Sequence, residues 1–495
     1  MKKDLFGGIK LLLFSALLAF VVTLVNRIVN PKYVYRDTWP TTATYLGFYE
    51  MPRNSVDVLF LGSSHAASGF DPQQLYDNYG ITSYNLGCEQ QNLLVSYYWL
   101  KEALKYQSPK VVVLDTYMMQ RFIESEPLNT AESCTRKAID YMRWGKVKMD
   151  AVHDIGKYDK NQGIWSYYLT NIRFHSRWTG LERSDFTFSE IKSHYETKGY
   201  VPRFEMSEEE NYEPFSENDT DEQEALMPLM VEYAQKIEEL CKQNGIRLIL
   251  VKNPTIATNV KLDNTVKAFA DEKRLEFIDF NEKDNYRKLD FNFSTDMSDG
   301  GHPNIAGAAK ITDYLGKVLI ERYGVVSHKN DVWEATKQYH QELKDIFSLP
   351  YETDVVRYLK KLDSNRFSVF ISVKDEASFG LSQEAIDAVR ALGFEFDMEG
   401  KTRYSYIAIK TDEGLYEAVS DQKFSRKDTF QKGTIGYWVV SAGMDCGNIS
   451  SIQIGGIEYS KNNRGLNIVV YDNTTKMIVD SVCFDTYDAQ MPMIR

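Results

Sequence analysis

Apolar residues follow two rhythms along this chain. The first is one long run: residues 5–25 carry a single charge, Lys10. At about 1.5 Å per residue, a helix of that length spans the roughly 30 Å hydrocarbon core of a bilayer. The second is a succession of short runs. Residues 56–61 have the β-branched and aromatic content of a strand covered on both faces. Asp71-Pro72 then opens a short helix, an N-cap acid followed by proline at the first helical position. A strand over 83–86, a helix over 93–106 capped by Asn92, and a strand over 111–115 after the break at Pro109 follow. The alternation returns with a helix over 222–243 that stops at Asn244-Gly245 and a strand over 246–252. A further helix, a strand over 276–280 and a helix over 305–323 complete it. Strand alternating with helix predicts an α/β fold, a three-layer parallel sheet.

Two segments depart from this pattern. Between Tyr117 and Asp221 periodicity is poor and aromatic residues are dense, as in GIWSYYLTNIRFHSRWTGLERSDF. A bare loop of that length is unusual in a compact domain, so about 118–221 is expected to be a capping insertion over the carboxyl edge of the sheet; a plain structural subdomain is the alternative. Its end, SEEENYEPFSENDTDE, reads as a solvated acidic loop. From about 349 the rhythm changes again. RFSVFISVKD predicts a strand, Ser382 caps a helix that stops at Gly393, RYSYIAIK adds a strand, and GLNIVVYDNTTKMIVDSVCF a hairpin turning at 472–475. The expected organisation is an anchor over 1–30, a domain over 31–330, a linker over 331–348 and a C-terminal α+β domain over 349–495.

Composition narrows the function. A net charge of −12 excludes a general nucleic-acid binder, and 43% hydrophobic residues in a chain of 495 supply cores for two or three domains. The five cysteines have no CxxC or Cys/His spacing, so buried thiols are expected rather than a zinc site. Lys2 and Lys3 precede the long apolar run, which by the positive-inside rule leaves the tail in the cytoplasm and the bulk outside a cell membrane crossed once. A cleaved signal peptide is the alternative, against which stand the length of the run and the lack of an A-x-A site after it.

Candidate chemistry gathers at the first strand's carboxyl end, where open α/β sheets bind ligands, in the block Gly62-Ser63-Ser64-His65. A serine needs a base, and the base an orienting acid. DMSDGGHPNIAGAAK supplies both, because Asp299 and His302 stand three apart on a Gly-Gly turn before the last helix. A core hydrogen bond is the alternative role for His302, and His65 reads as structural. The order of Gly62-Ser63-Ser64, the glycine of Asn85-Leu86-Gly87, and Asp299-x-x-His302 resembles the SGNH (GDSL-like) hydrolase family. The resemblance implies Ser64 as nucleophile, His302 as base, Asp299 as its orienter, an oxyanion hole from the N–H groups of Ser64 and Gly87, and no cofactor or metal. Ser63 stands where the family has an aspartate, and the family's Gly-x-Asn after the third strand is replaced by VVVLDTYMM.

Within that family the G-S-S block, the apolar N-terminus, KYQSPKVVVLD and FHSRWTGLERSDF are similar to the D-alanine transfer protein group of extracytoplasmic acyltransferases. That likeness implies a membrane-anchored serine O-acyltransferase or esterase. Its acceptor would be a cell-envelope polysaccharide or teichoic-acid-like hydroxyl, and its partner a membrane-bound O-acyltransferase. The absent asparagine supports the alternative of a catalytically weak carbohydrate-binding or scaffold partner of such an enzyme. In the C-terminal domain, NNRGLNIVVYDNTTKMIVDSVCFDTY and VFISVKDEASFGLSQEAIDAVRALG resemble the interleukin-like EMT inducer domain, also found as a sugar-binding stem domain, with the two blocks in swapped order. The resemblance implies a carbohydrate site at Arg464, Asp375 and Arg403, with Asp375 partnering both arginines. Arginine forks and a carboxylate suit paired sugar hydroxyls, and a surface salt bridge is the alternative.

Overall fold

The computed structural model describes residues 2–30, 40–121, 128, 130–158, 163–181, 183–186, 196–207, 212–215, 220–474 and 476–495. Parts of the expected cap and of its acidic end, and Thr475 of the expected hairpin turn, lie outside the described residues. The chain divides into two compact units, Met1–His340 and Gln341–Arg495.

In the first unit, β1 (Val58–Leu61), β2 (Ser83–Asn85), β3 (Val111–Asp115), β4 (Arg247–Lys252) and β5 (Glu276–Asp279) form one sheet in the order β2-β1-β3-β4-β5. Every neighbouring pair is parallel. Leu59, Leu61 and Leu114 face a core shared with Trp99 and Ile237, while Val58, Phe60 and Val113 face one shared with Ile311 and Leu315. Burial on both faces explains why the strands read as unbroken apolar runs, each such side chain contributing about 1.5–3 kcal/mol. The strand order reverses between β1 and β3, and at such a switch point the loops leaving the two strands part to open a crevice.

The capping chemistry behaves as its residues suggest. Asp71 accepts from Gln73 and Gln74 N–H at the start of Pro72–Tyr79, and Asn92 from Val95 N–H at the start of Leu93–Ala103. Two elements differ from expectation. Residues Ser64–Gly69 form a further short helix, capped by Ser63. The helix expected over 222–243 begins only at Pro228, whose fixed φ and missing N–H suit a first turn.

The described part of the insertion contains the helices Glu132–Asp140 and Lys146–Tyr158, whose Ile139, Val152 and Ile155 join the sheet's core. Its returning segment lies against the carboxyl edge: Asn85 N–H donates to the Lys198 carbonyl (2.9 Å) and Val201 N–H to that of Ala67 (2.8 Å). Gly199, at φ 87, permits this approach, since a Cβ there would lie 1.8 Å from the Asn85 oxygen. Lys198 is fully buried, with Nζ donating to Gln73 Oε1 (3.0 Å) and Thr336 Oγ1. Burial pulls its ammonium down to about 7, against the raising effect of Asp71 and Glu196. At the amino end, helix Lys2–Val29 includes an apolar stretch, Gly7–Val29, long enough to cross a membrane. The stretch 331–348 carries helices Asp331–Glu334 and Lys337–Phe347, with Trp333 fully buried in the first unit's core.

In the second unit the central strand Phe367–Asp375 pairs antiparallel with Gly465–Asp472 and Ser405–Thr411, and parallel at its end with Ile435–Gly443. Helix Gln383–Ala391 is capped by Ser382. Strands Gly414–Ser420, Phe424–Phe430, Ile435–Gly443 and Ile449–Ile454 were not expected from the sequence. In Gly414–Ser420 and Phe424–Phe430 exposure and polar content hide the period, whereas Ile435–Gly443 is mostly buried and Ile449–Ile454 alternates.

Because the folded value of Lys198 lies below its unfolded one, the cost of burying its charge is full below about pH 7 and shrinks as pH rises toward the unfolded value. Wild-type stability relative to Lys198→Met is therefore expected to rise between about pH 7 and 10, read by denaturant unfolding. A pH-independent difference would contradict the assignment.

Candidate active site

Ser64 opens its helix directly after β1, and the turn that delivers it rests on Asp115, the last residue of β3. Gly62 has φ 147, and a Cβ there would lie 2.4 Å from Asp115 Cβ, so only glycine lets the two strand ends come this close. Asp115 Oδ2 accepts from Ser63 N–H (3.0 Å) and from Ser63 Oγ (2.6 Å), and Oδ1 from Tyr117 N–H (3.1 Å). Burial raises its carboxyl, and the bonds from Ser63 and Tyr117 only partly offset this. Ser63 Oγ in turn accepts from His65 N–H (3.2 Å), so one hydroxyl both caps the Ser64 helix and ties it to β3.

The structure brings Ser64, His302 and Asp299 together. His302 Nε2 lies 2.8 Å from Ser64 Oγ, and Nδ1 lies 2.8 and 2.9 Å from the two oxygens of Asp299. Asp299 Oδ1 also accepts from Gly301 N–H (2.8 Å) and His302 N–H (2.9 Å), which closes the Gly-Gly turn around the carboxylate. Arg203 NH1 stands 3.6 Å from Asp299 Oδ2. Burial would raise the Asp299 carboxyl, but the hydrogen bonds from His302 and Gly301 and the charges of His302 and Arg203 outweigh it and hold it well below the usual carboxylate range. An ionised Asp299 keeps a proton on Nδ1 and leaves the Nε2 lone pair toward the serine hydroxyl.

Gly87 packs on the same loop, where a Cβ would lie 2.7 Å from Ala67 N and 3.0 Å from the Ser63 oxygen. Its N–H donates to Asn85 Oδ1 (2.9 Å), so this expected oxyanion donor already has an acceptor. Asn85 Nδ2 donates to the carbonyls of Ala66 (2.7 Å) and Phe70 (2.9 Å), and Asn253, just after β4, to that of His65 (2.8 Å). Both amides hold the helix that begins at Ser64.

His65 is buried, its ring stacked on Tyr117 at 3.7 Å and 5.1 Å from the His302 ring. Burial first, and then the neighbouring His302, pushes its pKa well below the usual value and keeps it neutral. Sequence reasoning missed Asp115, Tyr117, Asn253 and Arg203. Asp115 had a readable signal, an acid closing the apolar run VVVLD at a carboxyl edge. Arg203 had none, since it lies in the segment of poor periodicity.

In the second unit, strand register gathers the three sugar-site candidates at one end of the sheet. Asp375 closes its strand, Arg464 precedes Gly465, which pairs with Lys374, and Arg403 precedes the strand Ser405–Thr411. The expected pairing is corrected: Arg464 forms a fork with Asp485 (2.9 and 2.7 Å), and Arg403 NH1 lies 3.3 Å from Asp445. Asp375 bonds neither arginine and only adds to the field at Arg464, because acids on adjoining loops stand closer. Arg464 also lies over Tyr487 (4.4 Å), which stacks on Phe379 (5.3 Å).

No protein-family model matches the chain, and no curated protein does. Among solved structures it is similar to a protein of the G-D-S-L family from Desulfitobacterium hafniense at 14% identity and TM-score 0.27, covering 54% of this chain and 100% of that one. It is also similar to a GDSL-like lipase from Bacteroides thetaiotaomicron at 12% identity and TM-score 0.27, covering 56% of this chain and 98% of that one.

Asp115→Ala leaves two buried Ser63 donors unsatisfied, at about 1–3 kcal/mol each. Ser63→Ala should cost less, and the double variant less than the sum of the two, in denaturant unfolding. Strictly additive losses would show that the pair is not coupled.

Proposed function

We propose that the chain is a membrane-anchored, extracytoplasmic serine enzyme of SGNH type that passes an acyl group through Ser64 to a hydroxyl of a cell-envelope glycan, or to water. The observation that carries this reading is the unbroken hydrogen-bonded chain from Asp299 through His302 to Ser64 Oγ. Ser64 Oγ attacks the acyl carbonyl as His302 Nε2 takes its proton, and Asp299 stabilises the resulting imidazolium. The tetrahedral oxyanion forms beside the N–H groups of Ser64 and Gly87, the latter after exchanging its bond to Asn85. A donor of this kind is typically worth about 2.7–4 kcal/mol. Collapse expels the leaving alcohol, which takes the proton from His302, and leaves an acyl-serine. The acceptor hydroxyl then gives its proton to His302 and attacks that ester, and collapse expels Ser64 Oγ, which takes the proton back from His302. A membrane-bound O-acyltransferase as supplier of the acyl group belongs to the same proposal, as does anchoring by helix Lys2–Val29 with Lys2 and Lys3 inside.

The engaged Gly87 N–H favours a second reading, a catalytically weak carbohydrate-binding or scaffold partner of an acyltransferase. Fluorophosphonate labelling of the full-length chain separates the two. Wild type is expected to be labelled, and Ser64→Ala to lose both labelling and at least roughly 10³-fold in esterase or transfer rate with the fold intact. His302→Ala should lose about as much, since such groups act as a unit. An unlabelled but folded wild type leaves the second reading.

For the second unit, carbohydrate binding is supported by an exposed ring pair beside an arginine fork: Phe379 is 75% and Tyr487 43% exposed, next to Arg464. Flat rings suit the apolar face of a sugar and the guanidinium its hydroxyls. A tethered module that holds the acceptor raises its effective concentration at Ser64. Phe379→Ala in the full-length chain should weaken binding of envelope glycan several-fold by calorimetry, from a loss of about 0.5–1.5 kcal/mol or more, with hydrolysis of a small synthetic ester unchanged. Equal binding by both proteins would remove the sugar site from this edge.

A further inference from the structure

The N-terminal helix ends against the insertion rather than standing free. Asn171 N–H donates to Asn26 Oδ1 (3.1 Å), and Arg177 NH1 to the Val29 carbonyl (2.6 Å), with Arg177 held in turn by Asp185 (2.8 Å). Val29 is buried by these contacts, while Val21 and Val25, further back along the helix, are 44% and 41% exposed. A segment bonded to the last turn of a bilayer-spanning helix is fixed at the boundary between lipid and water.

That segment is rich in exposed apolar side chains. Trp165, Leu169, Ile172, Trp178 and Phe186 are all exposed, the two tryptophans at 68% and 70%. Single exposed apolar residues are ordinary, but a cluster this size in one short stretch marks an interaction surface, and tryptophan is the residue enriched at headgroup depth. Beside it lies a polar layer. A cavity of about 280 Å³ is lined by Asn26 and Asn30 of the helix end and by Lys148 and Arg173 of the insertion. The Arg173 side chain is 7% exposed and bonds Asp140 through NH2 (2.7 Å), but its Nε, like Asn30 Oδ1, has no partner among the described residues. Lys148 is buried as well and donates to the Asp140 carbonyl (2.8 Å). Two buried cations beside one carboxylate leave this floor with a net positive charge, which suits phosphate oxygens.

We propose that the face built from Trp165, Leu169, Ile172, Trp178 and Phe186 docks on the outer leaflet of the membrane, its rings at the boundary of headgroups and acyl chains and the cavity beside it at the level of the phosphates. The inference rests on the anchor reading above and goes beyond it: the insertion is a second, interfacial attachment that holds the first unit against the bilayer instead of letting it swing on a tether.

The test uses full-length protein in phosphatidylcholine vesicles whose acyl chains are brominated near the headgroup, with tryptophan emission as readout. Replacing Trp165 and Trp178 by phenylalanine keeps apolar rings at exposed positions and should remove about half or more of the lipid-dependent quenching. A parallel variant, Leu17→Trp, reports the anchor itself through lipids brominated deeper in the chain. Quenching at Leu17→Trp with no contribution from the insertion's tryptophans overturns the docking surface, leaves the anchor standing and frees the face for a protein partner. No quenching at Leu17→Trp overturns the anchor and the docking surface together.

Discussion

One buried carboxylate holds the carboxyl edge of the first unit's sheet in place at the candidate site. Asp115 ends β3, the strand beside β1, and takes the N–H and the hydroxyl of Ser63 in the turn that β1 feeds. An ionisable group that deep is tolerated only because its oxygens are met by donors, each hydrogen bond to a charged group being worth about 1.5–3 kcal/mol. The turn's chemistry follows from it. Gly62 must be glycine to clear the Asp115 side chain, and Ser63 must both donate to Asp115 and cap the helix that begins at Ser64. A carboxylate at position 63 would face Asp115 across a dry gap, two like charges in contact. Serine at position 63 and the acid that closes β3 are thus one arrangement, each fitting the other.

The two carboxylates of the site are driven in opposite directions by their surroundings. Asp115 is buried, and its carboxyl is raised. Asp299 is half-exposed, on a turn whose own N–H groups converge on it, with Arg203 nearby, and stays ionised. The first suits a structural tie, and the second the orientation of the His302 ring it bonds. His65 completes the division of labour. Stacked on Tyr117 and kept neutral by burial, it fills the space beside His302 without competing for the proton.

The insertion contributes to this edge at two points that primary structure does not advertise. Its returning segment bonds to Asn85 and to Ala67 in the Ser64 helix, and brings Arg203 to Asp299. Buried Lys198 and close-packed Gly199 fix that return, so the stretch with the least regular pattern is tied at its end to the most ordered part of the sheet.

The sequence by itself determined the elements whose pattern is local. Strands buried on both faces read as apolar runs, Asp71, Asn92 and Ser382 announced their helices, and the spacing of Asp299 and His302 placed an acid and a base on one turn. It also held the order of Ser64, Gly87 and His302 along the chain, from which a candidate serine site was legible. What only tertiary structure decided depends on residues far apart in sequence meeting in space. That Asp115 supports Ser63, that Arg203 reaches Asp299, that the Gly87 N–H is taken by Asn85, and that Arg464 and Arg403 pair with Asp485 and Asp445 rather than Asp375 are set by strand order, register and loop return. The strands Gly414–Ser420 and Phe424–Phe430 escaped notice because largely exposed, polar strands show little contrast between their two faces; Ile435–Gly443 and Ile449–Ile454 are apolar or alternating enough to have been read.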